Sequence, residues 1–333
     1  MHFLEGSIFV LSGEELTLPF AEVSALVRTY SSASCEKLSR RVVVSSLTDN
    51  GLISKVTKRA SYVRFGGKLV SISERPEDLA SDVSSSFVLE GKSFAVFSES
   101  MDRQIYCEIG GQVKQITRAK VSLDEPDYVF QAEKLDDGRY VLGVSGDGMK
   151  QFSWRERRPR ARKFFLPSAI YPKLARFLVN LSRVREGEYF LDPFCGTGSL
   201  LIESSIMGIN SIGIDMTRWI ARGAALNLKG LSLDYGSIVR ADSTHDNLPF
   251  SKIDAVATDI PYGRASSTKG KETALIAKEF LATASMLNSD KYCVLMHPSS
   301  VQLNLGDAFE LTEQHLLYVH RNLTRAISVL RRR

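Results

Sequence analysis

Apolar positions along the chain follow two different rhythms. Over roughly the first fifty residues the pattern predicts a strand over 7–11, a helix with three- and four-residue spacing over 20–30, and a second strand over 41–45. Asp49, Asn50 and Gly51 then read as a polar turn that ends this piece. Further on, short apolar stretches at 63–65 (before Gly66 and Gly67), 93–97 and 128–132 are separated by turn residues and predict an α+β module without a catalytic constellation. Asp136, Asp137, Gly138 and Arg139 form a hairpin-type turn between strands at 128–133 and 140–144.

From residue 165 the pattern changes. Strands are predicted over 189–193, 211–215, 237–242, 253–259 and 292–297, with helices over 199–207, 217–229 and 272–287 between them. Such alternation indicates an α/β fold whose mostly parallel sheet is covered on both faces. Two further runs, 308–320 and 323–330, are separated by a very short turn and predict a hairpin at the sheet's edge. Residues 151–163 lack sustained periodicity, and Pro159 argues against a long helix, so this stretch reads as an extended linker. The expected division is therefore 1–54, 55–148, a linker over 149–164, and 165–333.

Composition narrows the function classes. No apolar run approaches the ~18 residues of a membrane helix, and the first residues lack a secretory leader's basic start and apolar stretch, so a soluble, cytoplasmic protein is expected. Four cysteines lie far apart and five histidines form no ligand-spaced cluster, which argues against a metal or a disulfide framework. The net charge of +5 is modest, but Lys150, Arg155, Arg157, Arg158, Arg160, Arg162 and Lys163 crowd one stretch with only Glu156 opposing. Phosphate contact is the functional reading of that stretch, and a solvated hinge is the plain one. Arg321, Arg325 and residues 331–333 make a second basic end.

Gly196, Thr197 and Gly198 follow one predicted strand and open a helix, which suits a tight turn with close ligand approach. A dinucleotide fingerprint would need a small residue where Leu201 stands, and Asp192 at the strand's end would repel a pyrophosphate. A cationic ligand such as S-adenosylmethionine suits the site better, with Asp192 at its ammonium group. Asp215 ends the next strand, where a carboxylate accepts ribose hydroxyls or else caps the following helix. Asp242 and Ser243 end the third, at the place expected to meet adenine, or else form a turn. Cys195 lies inside the loop without a histidine partner and reads as a packing residue.

Asp259, Ile260, Pro261 and Tyr262 close the fourth strand. An aromatic amine is a poor nucleophile because its lone pair is delocalised into the ring. The Asp259 carboxylate and a main-chain carbonyl at Ile260 or Pro261 can bind its two hydrogens and favour a pyramidal nitrogen, with Tyr262 stacking on the base. Alone, these four residues would be a β-turn. After three ligand-placed acids they point to methylation of an exocyclic amine.

At these residues the chain resembles the archaeal and eukaryotic tRNA guanine-N2-methyltransferases that act on guanosine 10. The resemblance is most specific over 164–169, 172–176, 192–203 and 259–264, and looser around 120–127, which is similar to a THUMP domain. It implies a Rossmann-like methyltransferase domain with a C-terminal edge hairpin, preceded by a ferredoxin-like plus THUMP region that binds tRNA. The implied cofactor is S-adenosylmethionine, held by Pro167, Ser168, Asp192, Pro193, Cys195, Gly196, Thr197, Gly198, Asp215, Met216, Asp242 and Ser243. Catalysis is assigned to Asp259 through Tyr262, and tRNA contact to Arg155, Arg157, Arg158, Arg160, Arg162 and Lys163. The family's usual proline is replaced here by Ile260. Expected partners are tRNA but neither membrane nor metal, with the chain a monomer or weak oligomer. The alternatives are methylation of another guanine or adenine amine, at tRNA position 6 or in ribosomal RNA or DNA, and a tRNA-binding protein without activity.

Overall fold

The computed structural model of the protein describes residues 5–83, 91–147, 153–234, 236–245, 252–262, 272–284 and 287–333. The chain divides into two compact units, Met1–Phe152 and Ser153–Arg333.

In the first unit, β1 (Ser7–Leu11), α1 (Leu18–Tyr30) and β3 (Val42–Ser45) follow the predicted pattern closely, and a short strand that was not expected, β2 (Cys35–Lys37), pairs with β3. The expected turn at Asp49 is instead a helix start. Asp49 Oδ1 accepts the Leu52 N–H at 2.8 Å and caps α2 (Asn50–Arg59), because the residues that favour turns also satisfy helix N-termini. The chain continues through β4 (Val63–Ser73), β5 (Ser93–Phe97), α3 (Arg103–Thr117), β6 (Lys120–Val121), β7 (Tyr128–Lys134) and β8 (Tyr140–Ser145). Among the described residues these strands form one sheet in the order β2-β3-β1-β4-β8-β7-β5-β6. β4 joins its two halves, pairing with β1 over its first part and β8 over its second. It runs straight through Gly66 and Gly67, where a Cβ would lie 1.9 Å from Thr57 Oγ1 and 2.3 Å from the Val144 carbonyl oxygen. These glycines permit close packing within a strand and do not break it. Strands from both sides of the expected 54/55 division thus share a single sheet.

The second unit contains α4 (Pro172–Leu181), β9 (Tyr189–Asp192), α5 (Ser199–Ile206), β10 (Asn210–Ile214), α6 (Arg218–Gly230), β11 (Gly236–Val239), β12 (Ile253–Asp259), α7 (Thr273–Thr283), β13 (Leu287–Pro298), β14 (Phe309–His320) and β15 (Leu323–Arg332). The sheet order is β11-β10-β9-β12-β13-β15-β14. β9 to β13 run parallel, and β14 and β15 add the antiparallel hairpin, with β14 at the edge. The helix expected over 272–287 stops at Thr283, and Leu287 already belongs to β13. Central parallel strands are buried on both faces, which explains why Ala255, Val256 and Ala257 are fully buried in an unbroken apolar run. The order reverses between β9 and β12, so a crevice is expected at the carboxyl ends of these strands. Among the described residues no helix is long and apolar enough to cross a membrane.

The stretch expected as an extended linker is folded where it is described. Arg155–Arg157 and Pro159–Ala161 form 3-10 turns within the second unit.

Candidate active site

A cavity of about 550 Å³ opens at the carboxyl ends of β9, β10, β11 and β12, within the usual range for a small-molecule site. Pro167, Ser168, Pro193, Gly196, Thr197, Asp215, Met216, Asp242 and Ser243 line it, as do Asp259, Ile260, Pro261 and Tyr262. Asp192, Cys195 and Gly198, expected at the cofactor, are not among the residues that line it.

The loop after β9 is shaped by its glycines. Gly196 has φ +49° and Gly198 φ +79°, left-handed values that side chains rarely adopt, and nothing lies within 4 Å of a Cβ built on Gly196. Cys195 donates its N–H to the Ile214 carbonyl and accepts from Gly198 N–H, both at 2.8 Å, while Gly213 of β10 makes room beneath it. Burial pushes the Cys195 thiol well up, in keeping with a packing residue. Asp192 is buried, and its Oδ1 accepts from Thr258 Oγ1 at 2.7 Å and Phe194 N–H at 3.3 Å. Burial, with Asp259 and Asp215 adding to it, pushes this carboxyl up to about 7 against those two bonds.

Asp215 follows β10 and accepts the Thr217 N–H at 2.7 Å, so it shapes the entry to α6 while facing the cavity. Burial raises its pKa above the usual carboxylate range against hydrogen bonds from Thr217 and the Gly196 main chain. Asp242 lies three residues beyond the end of β11 and not on the strand as expected. It accepts from Thr244 Oγ1 at 2.7 Å and lies 3.4 Å from His245 Nδ1. Burial works against its charge, but Thr244 and His245 outweigh it and hold the carboxyl below the usual range. Ser243 donates to the Pro193 carbonyl and so ties this turn to the glycine loop.

Asp259 ends β12, with its Oδ2 3.5 Å from Arg325 Nη2. Its Oδ1 is buried without a hydrogen-bond partner among the described residues. Burial pushes Asp259 up to about 7, with Arg325 pulling the other way. Ile260, in the position of the family's proline, donates its N–H to the Met296 carbonyl at 2.9 Å and prolongs the β12–β13 ladder, a bond that proline lacks. The Tyr262 hydroxyl accepts from Arg325 Nε at 2.7 Å, and burial, then Asp259, raises its phenol pKa.

The basic stretch separates into two groups. Arg155, Arg158, Arg160 and Lys163 are exposed. Arg157 and Arg162, also expected at phosphates, turn inward. Arg157 Nε lies 2.8 Å from Glu203 Oε1, and Arg162 donates to Ser199 Oγ at 2.7 Å and to the Arg157 carbonyl at 2.8 Å. Glu203 is fully buried and also meets Arg176 Nε at 2.9 Å. A buried carboxylate on α5 therefore needs both arginines, which internal charge balance explains without RNA.

Three residues that were not among the expected site residues support the site. Arg325, seen only as part of a basic end, lines the cavity. Asn227 of α6 bonds to the main chain of Phe164 and Thr197, and Glu203 anchors the basic stretch. Nothing local sets them apart: Asn227 lies between two leucines, Glu203 before two serines and Arg325 after a threonine, surroundings shared by many surface positions.

Comparison with known proteins identifies the family. Residues 159–327 match the family described as the RMKL-like methyltransferase domain. The tRNA (guanine(10)-N2)-dimethyltransferase of Methanocaldococcus jannaschii is 31% identical, over 97% of this chain and 99% of its own. The protein of the same name from Methanothermobacter thermautotrophicus is 30% identical, over 97% and 98%. The crystal structure of TrmN from Thermus thermophilus shares the fold at 17% identity with a TM-score of 0.52, covering 98% of this chain and 100% of that one. With an RMKL-like methyltransferase domain and full-length similarity to both archaeal proteins, the chain belongs to the tRNA guanine-N2-methyltransferase family.

Proposed function

We propose that the protein transfers methyl groups from S-adenosylmethionine to the exocyclic N2 of a guanosine in tRNA, at position 10. The observation that carries this reading is Asp259 Oδ1, a buried carboxylate oxygen in the cavity wall with no partner among the described residues. Leaving such an acceptor unmatched costs ~1–3 kcal/mol or more, and an amine N–H from a ligand removes that penalty.

The residues suit the cofactor. Asp215, Asp242 and Asp259 line the cavity and Asp192 ends β9, an acidic surround that favours a sulfonium and an ammonium over a pyrophosphate. Gly196 leaves open space for backbone approach, Asp215 is assigned to the ribose hydroxyls, and Asp242 with Ser243 to the adenine. Pro167, Ser168, Pro193, Thr197 and Met216 complete the lining. When bound, the cofactor supplies an electrophilic methyl group on sulfur.

This chain's residues prepare the amine. Asp259 Oδ1 accepts one N–H of the guanine. The Pro261 carbonyl already accepts from Thr273 Oγ1 at 3.3 Å, which leaves the Ile260 carbonyl as the preferred acceptor for the second N–H. Two acceptors draw the lone pair out of conjugation, and Tyr262 holds the base by stacking. The nitrogen carries one proton too many after transfer, and Asp259, pushed up to about 7, receives it. The names of the two archaeal relatives support tRNA, position 10 and a second methylation. The first unit is assigned to tRNA binding as a ferredoxin-like segment plus a THUMP domain, on the resemblance around 120–127, and exposed Arg155, Arg158, Arg160 and Lys163 to phosphate contact.

The test is transfer of labelled methyl groups to bulk tRNA followed by nucleoside analysis. N2-methylguanosine and its dimethyl form are expected from the wild type, and neither from Asp259→Ala, which still binds tRNA. A different methylated nucleoside would overturn the substrate, and Asp259→Ala activity within tenfold of wild type would overturn the role of Asp259.

A further inference from the structure

We infer that Arg325 is a positioning residue of this reaction: it holds Asp259 by Oδ2 and Tyr262 by its hydroxyl, so that Asp259 stays an anion with Oδ1 left for the incoming amine. The inference rests on the reading above. Arg325 Nη2 is 3.5 Å from Asp259 Oδ2, Nε donates to the Tyr262 hydroxyl at 2.7 Å, and the guanidinium stands 5.6 Å from the Tyr262 ring centre. One planar fork therefore spans both residues that the reading places on the base. Its backbone is well anchored, since β15 lies between β13 and β14, with Arg325 opposite Pro298 on one side and Leu317 on the other.

The chemical need follows from burial. Oδ2 faces the Arg325 guanidinium and Oδ1 is left for the amine, so both oxygens must accept and Asp259 is needed as the anion in a site that penalises its charge. The groups around it are unequal. Asp192, from β9, is itself pushed up mainly by burial, with Asp259 among the lesser causes. Tyr262, after β12, contributes a neutral phenol already engaged by Arg325. His320 of β14 lines the same cavity, His297 of β13 turns its Nε2 to Ser328 Oγ at 3.0 Å, and α7 contributes the apolar Ile276. Arg325 supplies the guanidinium that offsets burial at Asp259.

The test is the pH dependence of kcat/KM for tRNA, which reports groups of the free enzyme. The wild type should show an acid limb near 7. Arg325→Gln should move that limb up by roughly one unit or more, so that its loss of activity is at least several-fold greater at pH 6.5 than at pH 9. Arg325→Lys keeps the charge but gives up the fork, and should restore most of the limb while kcat stays low. Tyr262→Phe should leave the limb in place. A second measurement needs no turnover: thermal unfolding of the ligand-free Arg325→Gln protein should fall more steeply between pH 6 and 9 than that of wild type. An unchanged limb in Arg325→Gln, with equal loss at every pH, would overturn the inference and leave Arg325 a strand residue only. If the wild type methylates a different amine, the limb is read on that product, and the substrate and the role of Arg325 are judged separately.

Discussion

Asn227 grips the main chain of Phe164 from both sides: its Oδ1 accepts the Phe164 N–H at 2.8 Å, and its Nδ2 donates to the Phe164 carbonyl at 2.9 Å. The same Nδ2 reaches the Thr197 carbonyl at 3.0 Å, so one buried amide joins α6, the segment before the cavity and the glycine loop. Asn227→Ala leaves all three main-chain groups without that partner. A loss of about 2 kcal/mol or more is expected in urea unfolding, together with at least tenfold weaker cofactor binding by calorimetry. Wild-type stability would show that water replaces the amide without penalty.

Gly223 faces the same Phe164. A Cβ there would lie 2.2 Å from the ring, which in turn meets Trp219 edge-on at 5.7 Å between centres. Glycine to alanine inside a helix ordinarily adds up to ~1 kcal/mol of stability. Here the clash decides the sign, and Gly223→Ala is expected to destabilise by ~1–3 kcal/mol. Thermal melts of Gly223→Ala in the wild-type and Phe164→Leu backgrounds check the cause, since the loss should shrink with the smaller ring. Equal losses in both would assign the effect elsewhere.

The basic stretch should split by mutation as it does by geometry. Neutralising Arg155, Arg158, Arg160 and Lys163 together is expected to weaken tRNA binding and to flatten its salt dependence, by about one slope unit for each phosphate that is no longer neutralised, with unfolding unchanged. Glu203→Ala should do the reverse, costing ~3–5 kcal/mol of stability by stranding buried arginine charge while the salt slope stays put. Filter binding over a salt series and urea unfolding measure the two effects. An unaltered slope in the fourfold variant would make these residues a solvated surface.

Asp192 gives the ligand-free protein a pH signature. Its folded pKa of about 7 lies above the ordinary carboxylate value of ~3.9, so its contribution to stability is complete below the unfolded value and is lost as pH rises through the folded one. Asp192→Asn cannot titrate. The unfolding midpoint of wild type relative to Asp192→Asn should therefore fall between pH 5 and pH 8. A constant difference over that range would mean that Asp192 is already ionised at pH 5.

The amino-acid sequence alone determined the order of the second unit's strands from β9 to β15 and of helices α5 to α7, though not α4, together with the glycine loop after β9 and the turn that closes β12. Parallel strands buried on both faces leave short apolar runs such as 255–257, and the residues that line the cavity sit at or beyond their carboxyl ends, local in sequence. Helix α3 was not expected: Ile105, Ile109 and Val113 recur at a helical four-residue spacing, but Gly110 and Gly111 stand inside it and disfavour a helix locally. At Asp49 and at Gly66 and Gly67 the residue types were compatible with a turn, a cap or a close-packed strand, and only their neighbours in space selected one. The tertiary structure decided the remainder of the site. Arg325 reaches Asp259 because β15 inserts between β13 and β14, Asn227 meets Phe164 across 63 residues, and Glu203 recruits Arg157 across 46. Charge balance and hydrogen-bond satisfaction depend on distances in space, which carry no period along the chain.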